Sequence, residues 1–147
     1  MTFLDTNVFV YFVDGRACKK QAIARKLIEN ALSSSRYAIS VQVLNEFANV
    51  AMKKFQMDEG EVVEYIEAFH QIKTIPPSVE QTLNALSHRK HYGIQFYDSL
   101  IVAAAEHAGC DELVTEDLND GQIYGSVKAV NPFKNFGQTG RQTKGTK

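Results

Sequence analysis

The sequence predicts an α/β domain built on a parallel sheet with helices on both faces. Three observations lead there. Short apolar runs recur along the chain, stretches of helical periodicity separate them, and capping or breaking residues mark most of the junctions. At 147 residues the chain has the length of one domain with a single core.

Thr2-Phe3-Leu4 opens as a strand, and the nearly all-apolar Asn7 to Val13 ends at the turn Asp14-Gly15. Residues 17–33 read as a helix, with Ala22, Ile23, Leu27, Ile28, Ala31 and Leu32 at helical spacing. Tyr37-Ala38-Ile39 is a second strand, after which Ser40 caps a helix carrying Val43, Leu44, Phe47, Val50 and Ala51. Asp58 with Glu61 three residues later is close to a capping box and starts another helix. Ile72 to Ile75 is a strand stopped by Pro76-Pro77. Ser78 with Gln81 starts the next helix, which Gly93 closes. Asp98 begins an apolar helix, Leu100 to Ala108, closed by Gly109. Glu112 to Thr115 and Val127 to Val130 are the last strands. The expected domain is 1–136. Residues 137–147, made mainly of Gly, Thr, Gln and Lys, are expected to be disordered.

Composition excludes several classes. No apolar run is long enough to cross a bilayer, and no basic-then-apolar leader is visible, so a cytoplasmic protein is expected. Cys18 and Cys110 form no metal-type cluster and are expected to be reduced or buried thiols. The net charge of −1 does not advertise nucleic-acid binding, but its distribution is uneven. Residues 1–120 hold all 17 acids against 11 Lys and Arg, a balance of −6, whereas residues 121–147 hold five basic residues and no acid. That basic tail is either a solvated tail or a phosphate contact.

The informative acids are those placed where burial is expected. Asp5 sits in Phe3-Leu4-Asp5-Thr6-Asn7-Val8, Glu46 in Val43-Leu44-Asn45-Glu46-Phe47, and Asp98 in Phe96-Tyr97-Asp98-Ser99-Leu100. Asp117 follows Leu113-Val114-Thr115-Glu116. A buried unpaired carboxylate costs several kcal/mol or takes up a proton. No Lys or Arg lies near Asp5, Glu46 or Asp98 in sequence, so a divalent cation is the natural compensation. Oxygen ligands without His or Cys suit Mg²⁺ or Mn²⁺ rather than zinc. In a parallel sheet such acids can meet beyond the carboxyl ends of the strands at a switch point. Taken singly, each has another reading: Asp5 and Asp98 as N-caps, Glu46 as a partly exposed helix residue, Asp117 as part of a turn.

Together, Leu4-Asp5-Thr6-Asn7, Glu46 in its helix, Phe96-Tyr97-Asp98-Ser99-Leu100-Ile101 and Leu113-Val114-Thr115-Glu116-Asp117-Leu118 resemble the PIN-domain family, and within it the VapC-type toxins. The match in order and spacing runs from residue 2 to about residue 133. The resemblance implies a five-stranded parallel sheet in the order 3-2-1-4-5 and a Mg²⁺- or Mn²⁺-dependent endoribonuclease. It also implies a homodimer silenced by a small antitoxin. Asp5, Glu46 and Asp98 become the ligand core and Asp117 the fourth acid, with Glu116 as a neighbour easily confused with it. Asn7 and Thr115 would orient carboxylates or water, Thr6 less directly and Asp120 least. A divalent ion held there supplies an activated water and offsets charge on the leaving oxygen, giving 5′-phosphate and 3′-hydroxyl products.

Arg16, Lys19 and Lys20, continued by Arg25 and Lys26, are candidate contacts for RNA phosphates, or else a solvated helix face. Apolar residues of the first two helices, such as Phe9, Phe12, Ile23 and Leu27, exceed the needs of one core layer, and some of them are expected to line a groove for an antitoxin helix. His88 and His91 are read as surface histidines, and Phe9, Tyr11 and Phe12 as core rather than a base-stacking platform. Haloacid-dehalogenase-like phosphatases also place Asp after the first strand, but need a second Asp where this chain has Asn7. A PIN nuclease of RNA processing, or a non-catalytic RNA- or protein-binding module on the same fold, stays open beside the toxin reading.

Overall fold

In a computed structural model, residues 1–134 are described; the expected tail at 137–147 and the boundary at 136 lie outside them. The chain runs β1 (Thr2–Leu4), α1 (Thr6–Val13), α2 (Cys18–Leu32), β2 (Tyr37–Ser40), α3 (Val41–Lys54) and α4 (Glu59–Phe69). It continues through β3 (Lys73–Ile75), α5 (Val79–Tyr92), α6 (Phe96–His107), β4 (Glu112–Val114), β5 (Ile123–Tyr124) and β6 (Val127–Val130). The sheet order is β3-β2-β1-β4-β6-β5. Every neighbouring pair is parallel except β5 with β6.

The five parallel strands keep the expected order, but the sheet has a sixth strand, β5, that the pattern did not predict. Ile123-Tyr124 is too short to show periodicity. It becomes a strand by pairing Tyr124 with Val127 across a two-residue turn. Gly125 occupies that turn at φ 63°, a conformation glycine adopts without steric cost.

Right-handed crossovers explain the layers. The chain steps from β1 to β2 to β3 in one direction, then returns past β1 to β4. A right-handed path places α1–α4 on one face and α5–α6 on the other. The contacts agree: α1 packs on α2 and α3, α3 on α4, and α5 on α6, while α6 lies along β2, β4 and β6.

Local signals account for several helix ends. Ser40 accepts from the Val43 amide, Ser78 from the Gln81 amide, and Asp58 with Glu61 completes a reciprocal capping box. Gly93 ends α5 in the left-handed region. One end differs from expectation. Helix α6 begins at Phe96 behind Gln95, so Asp98 lies inside the first turn rather than starting the helix. Buried Ser99, Ile101, Val102, Ala103, Ala104 and Ala105 let this helix pack closely on the sheet.

The core joins Phe3, Leu4, Ala38, Ile39, Leu113, Val114 and Ala129 of the sheet to an aromatic cluster from the first face. Phe69 is its hub, with Phe9 at 4.7 Å and Phe47 at 5.1 Å between ring centroids, both edge to face. Two of the residues named for a partner groove are engaged in this cluster. Phe9 is fully buried and Phe12 packs edge-on against Tyr65 and Phe69; only Ile23 and Leu27 of the four lack a place in that cluster. Cys18 is exposed, Cys110 is buried, and both are free thiols. Among the described residues no helix is long and apolar enough to cross a membrane.

Candidate active site

The strand order reverses between β1 and β4, and their carboxyl ends lie side by side. The Asp5 amide donates to the Val114 carbonyl at 3.0 Å, locking the two ends together. Asp5 follows β1 directly and caps α1, accepting from the Thr6 amide at 2.6 Å. The capping role and membership of the acidic group are therefore not alternatives for this residue. Its second oxygen accepts from the Thr115 hydroxyl at 2.8 Å, and the whole side chain is buried.

Thr115 is the knot of the site. Its hydroxyl also accepts from the Asp117 amide at 3.0 Å and from Asn7 Nδ2 at 3.4 Å, while Asn7 Nδ2 reaches Asp117 Oδ2 at 3.2 Å. Asn7 Oδ1 is buried and accepts from no described residue, which leaves a polar atom suited to a water in the pocket.

Glu46 approaches from α3. Thr6 donates its hydroxyl to Glu46 Oε1 at 2.6 Å, and Gln42, one helical turn earlier, donates to Glu46 Oε2 at 3.0 Å. Gln42 was not anticipated as a site residue. Its i,i+4 spacing to Glu46 was the signal that could have found it. Thr6, ranked below Asn7 and Thr115 in the sequence, makes the direct link between the Asp5 and Glu46 segments. Asp98 comes from the first turn of α6, partly buried and without a hydrogen bond among the described residues.

Electrostatics tie the four acids together. Burial pushes the Asp5 carboxyl up to about 7 against its two hydrogen bonds, with the charges of Asp117 and Glu46 adding to the rise. Asp98 is pushed up to about 6, first by burial and then by Asp117 and Glu46. Asp117 is raised by burial of its carboxylate against the site, although the residue's outer side is open to solvent; Glu116 and Glu46 raise it further. No ion pair of the described residues reaches any of these four acids.

The other acids and bases have separate engagements. Glu116 is bound by the Tyr11 hydroxyl and by Lys20, 3.4 Å away. Tyr11, expected only as core, thus contributes a polar contact. Asp120 accepts from the Asn131 amide and pairs with Lys134, outside the acidic group. Arg16 is bound to Asp14, and Lys19 lies exposed on α2. His88 is not a surface histidine: its Nε2 stands 2.6 Å from Glu106, which also receives the Ser126 amide and so fastens the β5–β6 turn to α5 and α6.

The donor set is all oxygen. Among the described residues no three His, Cys, Asp or Glu side chains close tightly enough to enclose an ion by themselves. Oxygen donors suit Mg²⁺ or Mn²⁺ rather than zinc, and such ions keep several waters and take only one or two carboxylates directly. The unanswered acceptor on Asn7 and the raised carboxylates fit the same occupant.

Two cavities flank Glu46. One of about 510 Å³ runs between α1 and α3 and includes Thr6, Asn7, Glu46, Lys54 and Asp117. The other, about 420 Å³, lies between α3 and the α5–α6 pair.

Solved structures share this fold. A toxin–antitoxin complex from Klebsiella pneumoniae is similar at TM-score 0.68 and 22% identity, over 90% of this chain and 98% of that one. VapBC2 from Rickettsia felis, bound to a promoter DNA fragment, matches at 0.62 and 20%, over 88% and 97%. The Mycobacterium tuberculosis toxin VapC20, which cleaves the sarcin-ricin loop, matches at 0.63 and 14%, over 87% and 99%. No curated protein sequence matches the chain. The model of the PIN domain matches residues 2–122, and the chain belongs to the PIN-domain family.

Proposed function

We propose that the chain is a Mg²⁺- or Mn²⁺-dependent endoribonuclease and the toxin of a toxin–antitoxin pair. One observation carries the nuclease reading: four carboxylates from the β1 end, α3, α6 and the β4 end act on one another electrostatically, and no ion pair of the described residues reaches any of them. A divalent ion bound there supplies charge compensation and an activated water for phosphodiester hydrolysis. Asp5, Glu46, Asp98 and Asp117 would hold it. Thr115, Thr6, Gln42 and Asn7 fix where the carboxylates of Asp5, Glu46 and Asp117 point, as outer-shell partners do at metal sites. Lys54, in the cavity beside Glu46, is placed to meet a phosphate of the strand, whereas Lys20 is engaged by Glu116.

The toxin reading is supported by similarity to toxin–antitoxin complexes along nearly the whole chain. That likeness supports an antitoxin partner, and a homodimer is part of the same proposal. Val79, Leu83 and Leu86, exposed at helical spacing on α5, offer an apolar face for assembly. The purified protein should cut single-stranded RNA with Mn²⁺ and stop with EDTA, and a cognate antitoxin should suppress the cutting. Cleavage unaffected by EDTA would refute the metal-dependent reading.

A further inference from the structure

The cavity of about 420 Å³ is of different character from the acidic pocket it adjoins. Its walls include Ile75, Pro77 and Leu100, with Asn45 and Thr82 among several neutral polar groups, and Glu46 is the one charged residue among the described residues that line it. Its volume falls within the roughly 300–1,000 Å³ of small-molecule sites. Tyr97 stands on its wall with 63% of its surface exposed, so its ring is open to a ligand there. Gln42 joins the two spaces, since its Nε2 donates both to Glu46 Oε2 at 3.0 Å and to the Tyr97 carbonyl at 3.2 Å.

We propose that this cavity receives a neutral nucleobase of the RNA strand, the one next to the phosphate being cut, stacked on Tyr97 and read along its edge by Asn45. The proposal rests on the nuclease reading and adds the element that selects the base. Charge decides the assignment. A phosphate would enter a space holding one carboxylate and no cation, which is unfavourable. A heterocycle presents apolar faces and polar edges, matching Leu100 and Ile75 on one hand and Asn45 and Thr82 on the other. The opposite cavity, with Lys54, suits the backbone. Because Glu46 lines both, a strand lying across it would put a phosphate at the acids and its neighbouring base in this cavity.

The test titrates adenosine, guanosine, cytidine and uridine, which carry no phosphate, into the full chain, reading the methyl NMR signals of Ile75 and Leu100. At least one nucleoside should shift both. Tyr97→Ala should weaken that binding on the order of tenfold, and Tyr97→Phe should preserve it. Tyr97 is exposed enough for both variants to fold, which their melting curves check. In Mn²⁺-dependent cleavage of short RNA homopolymers, Tyr97→Ala should raise KM for the preferred base more than it lowers kcat. Silence of both methyls toward all four nucleosides, up to their solubility limits, overturns the proposal. That is also the result if the cavity serves a protein partner's side chain. Shifts that are unchanged in Tyr97→Ala overturn it too. Failure of the parent protein to cleave any RNA would sink the nuclease reading instead, and the nucleoside titration would show it separately.

Discussion

The Thr115 hydroxyl donates to Asp5 Oδ2 at 2.8 Å across 110 residues of sequence, and both side chains are buried at the junction of β1 and β4. The same oxygen receives the Asp117 amide, so one hydroxyl sets the positions of two acids. Thr115→Val keeps the shape and removes both bonds, along with the longer one that the hydroxyl accepts from Asn7 Nδ2 at 3.4 Å. Leaving these buried groups unsatisfied should cost about 1–3 kcal/mol, and Mn²⁺ affinity should fall roughly 10- to 100-fold. Thr115→Ser should retain most of both. Denaturant melts and Mn²⁺ titrations check this. A Val variant with parental metal affinity would remove Thr115 from the site.

Asp98 offers the converse case. It makes no hydrogen bond among the described residues, and its charge faces those of Asp117 and Glu46. Asp98→Asn should lose about 0.3–1 kcal/mol of first-turn helix interaction and regain a comparable amount by relief of repulsion. The metal-free variant should therefore melt close to the parent. Its cleavage should vanish and its stabilisation by Mn²⁺ should shrink. Melts with EDTA and with Mn²⁺, alongside RNA cleavage, decide the point. Undiminished metal-dependent cleavage would exclude Asp98.

The acidic pocket should also impose a pH dependence on the metal-free fold. Asp5 at about 7 and Asp98 at about 6 lie above the 3.8 of a free aspartate. Between 3.8 and those values the folded chain binds more protons than the unfolded chain, so stability rises as pH falls through 7 and 6. The contribution is full below the unfolded value and lost above the folded ones. In EDTA the melting temperature should thus climb on acidification from roughly pH 8 to pH 5, against any opposing groups elsewhere. Mn²⁺ should stabilise more at the alkaline end, because it displaces those protons. A flat EDTA profile that is identical in Asp5→Asn would contradict the raised carboxyls.

Gly125 separates stability from chemistry. A Cβ there would overlap Glu106 Oε2 and press on His88 Cε1, and φ is 63°. Gly125→Ala should destabilise by about 1–3 kcal/mol by straining the turn and loosening its attachment to Glu106. Well below its melting temperature the variant should cleave RNA at nearly the parental rate, since these residues lie outside the acidic group. Calorimetry and an initial-rate assay give both readings. A large loss of rate in the folded protein would mean that the hairpin supports the site.

What the sequence determined by itself was whatever a few neighbouring residues decide. Asp58 with Glu61, Ser40, Ser78 and Gly93 act on backbone groups within one turn, so those helix ends were legible. The alternation of apolar runs and helical periods was enough for the parallel sheet. Acids set among apolar neighbours marked Asp5, Glu46 and Asp98. Tertiary packing decided the rest, because it brings together groups that carry no mutual signal along the chain. Thr6 meets Glu46 from 40 residues away, and Asn7 meets Asp117 from 110. The Tyr11 ring stays packed on the core while its hydroxyl reaches Glu116, and His88 finds Glu106 rather than solvent. Ile123-Tyr124 becomes a strand only because Val127 and Lys128 pair with it. Phe9 is withdrawn from any partner groove because Phe69 already buries it. Local sequence encodes caps and periods, since their energies are local; the direction of a buried carboxylate depends on donors supplied by other strands and helices.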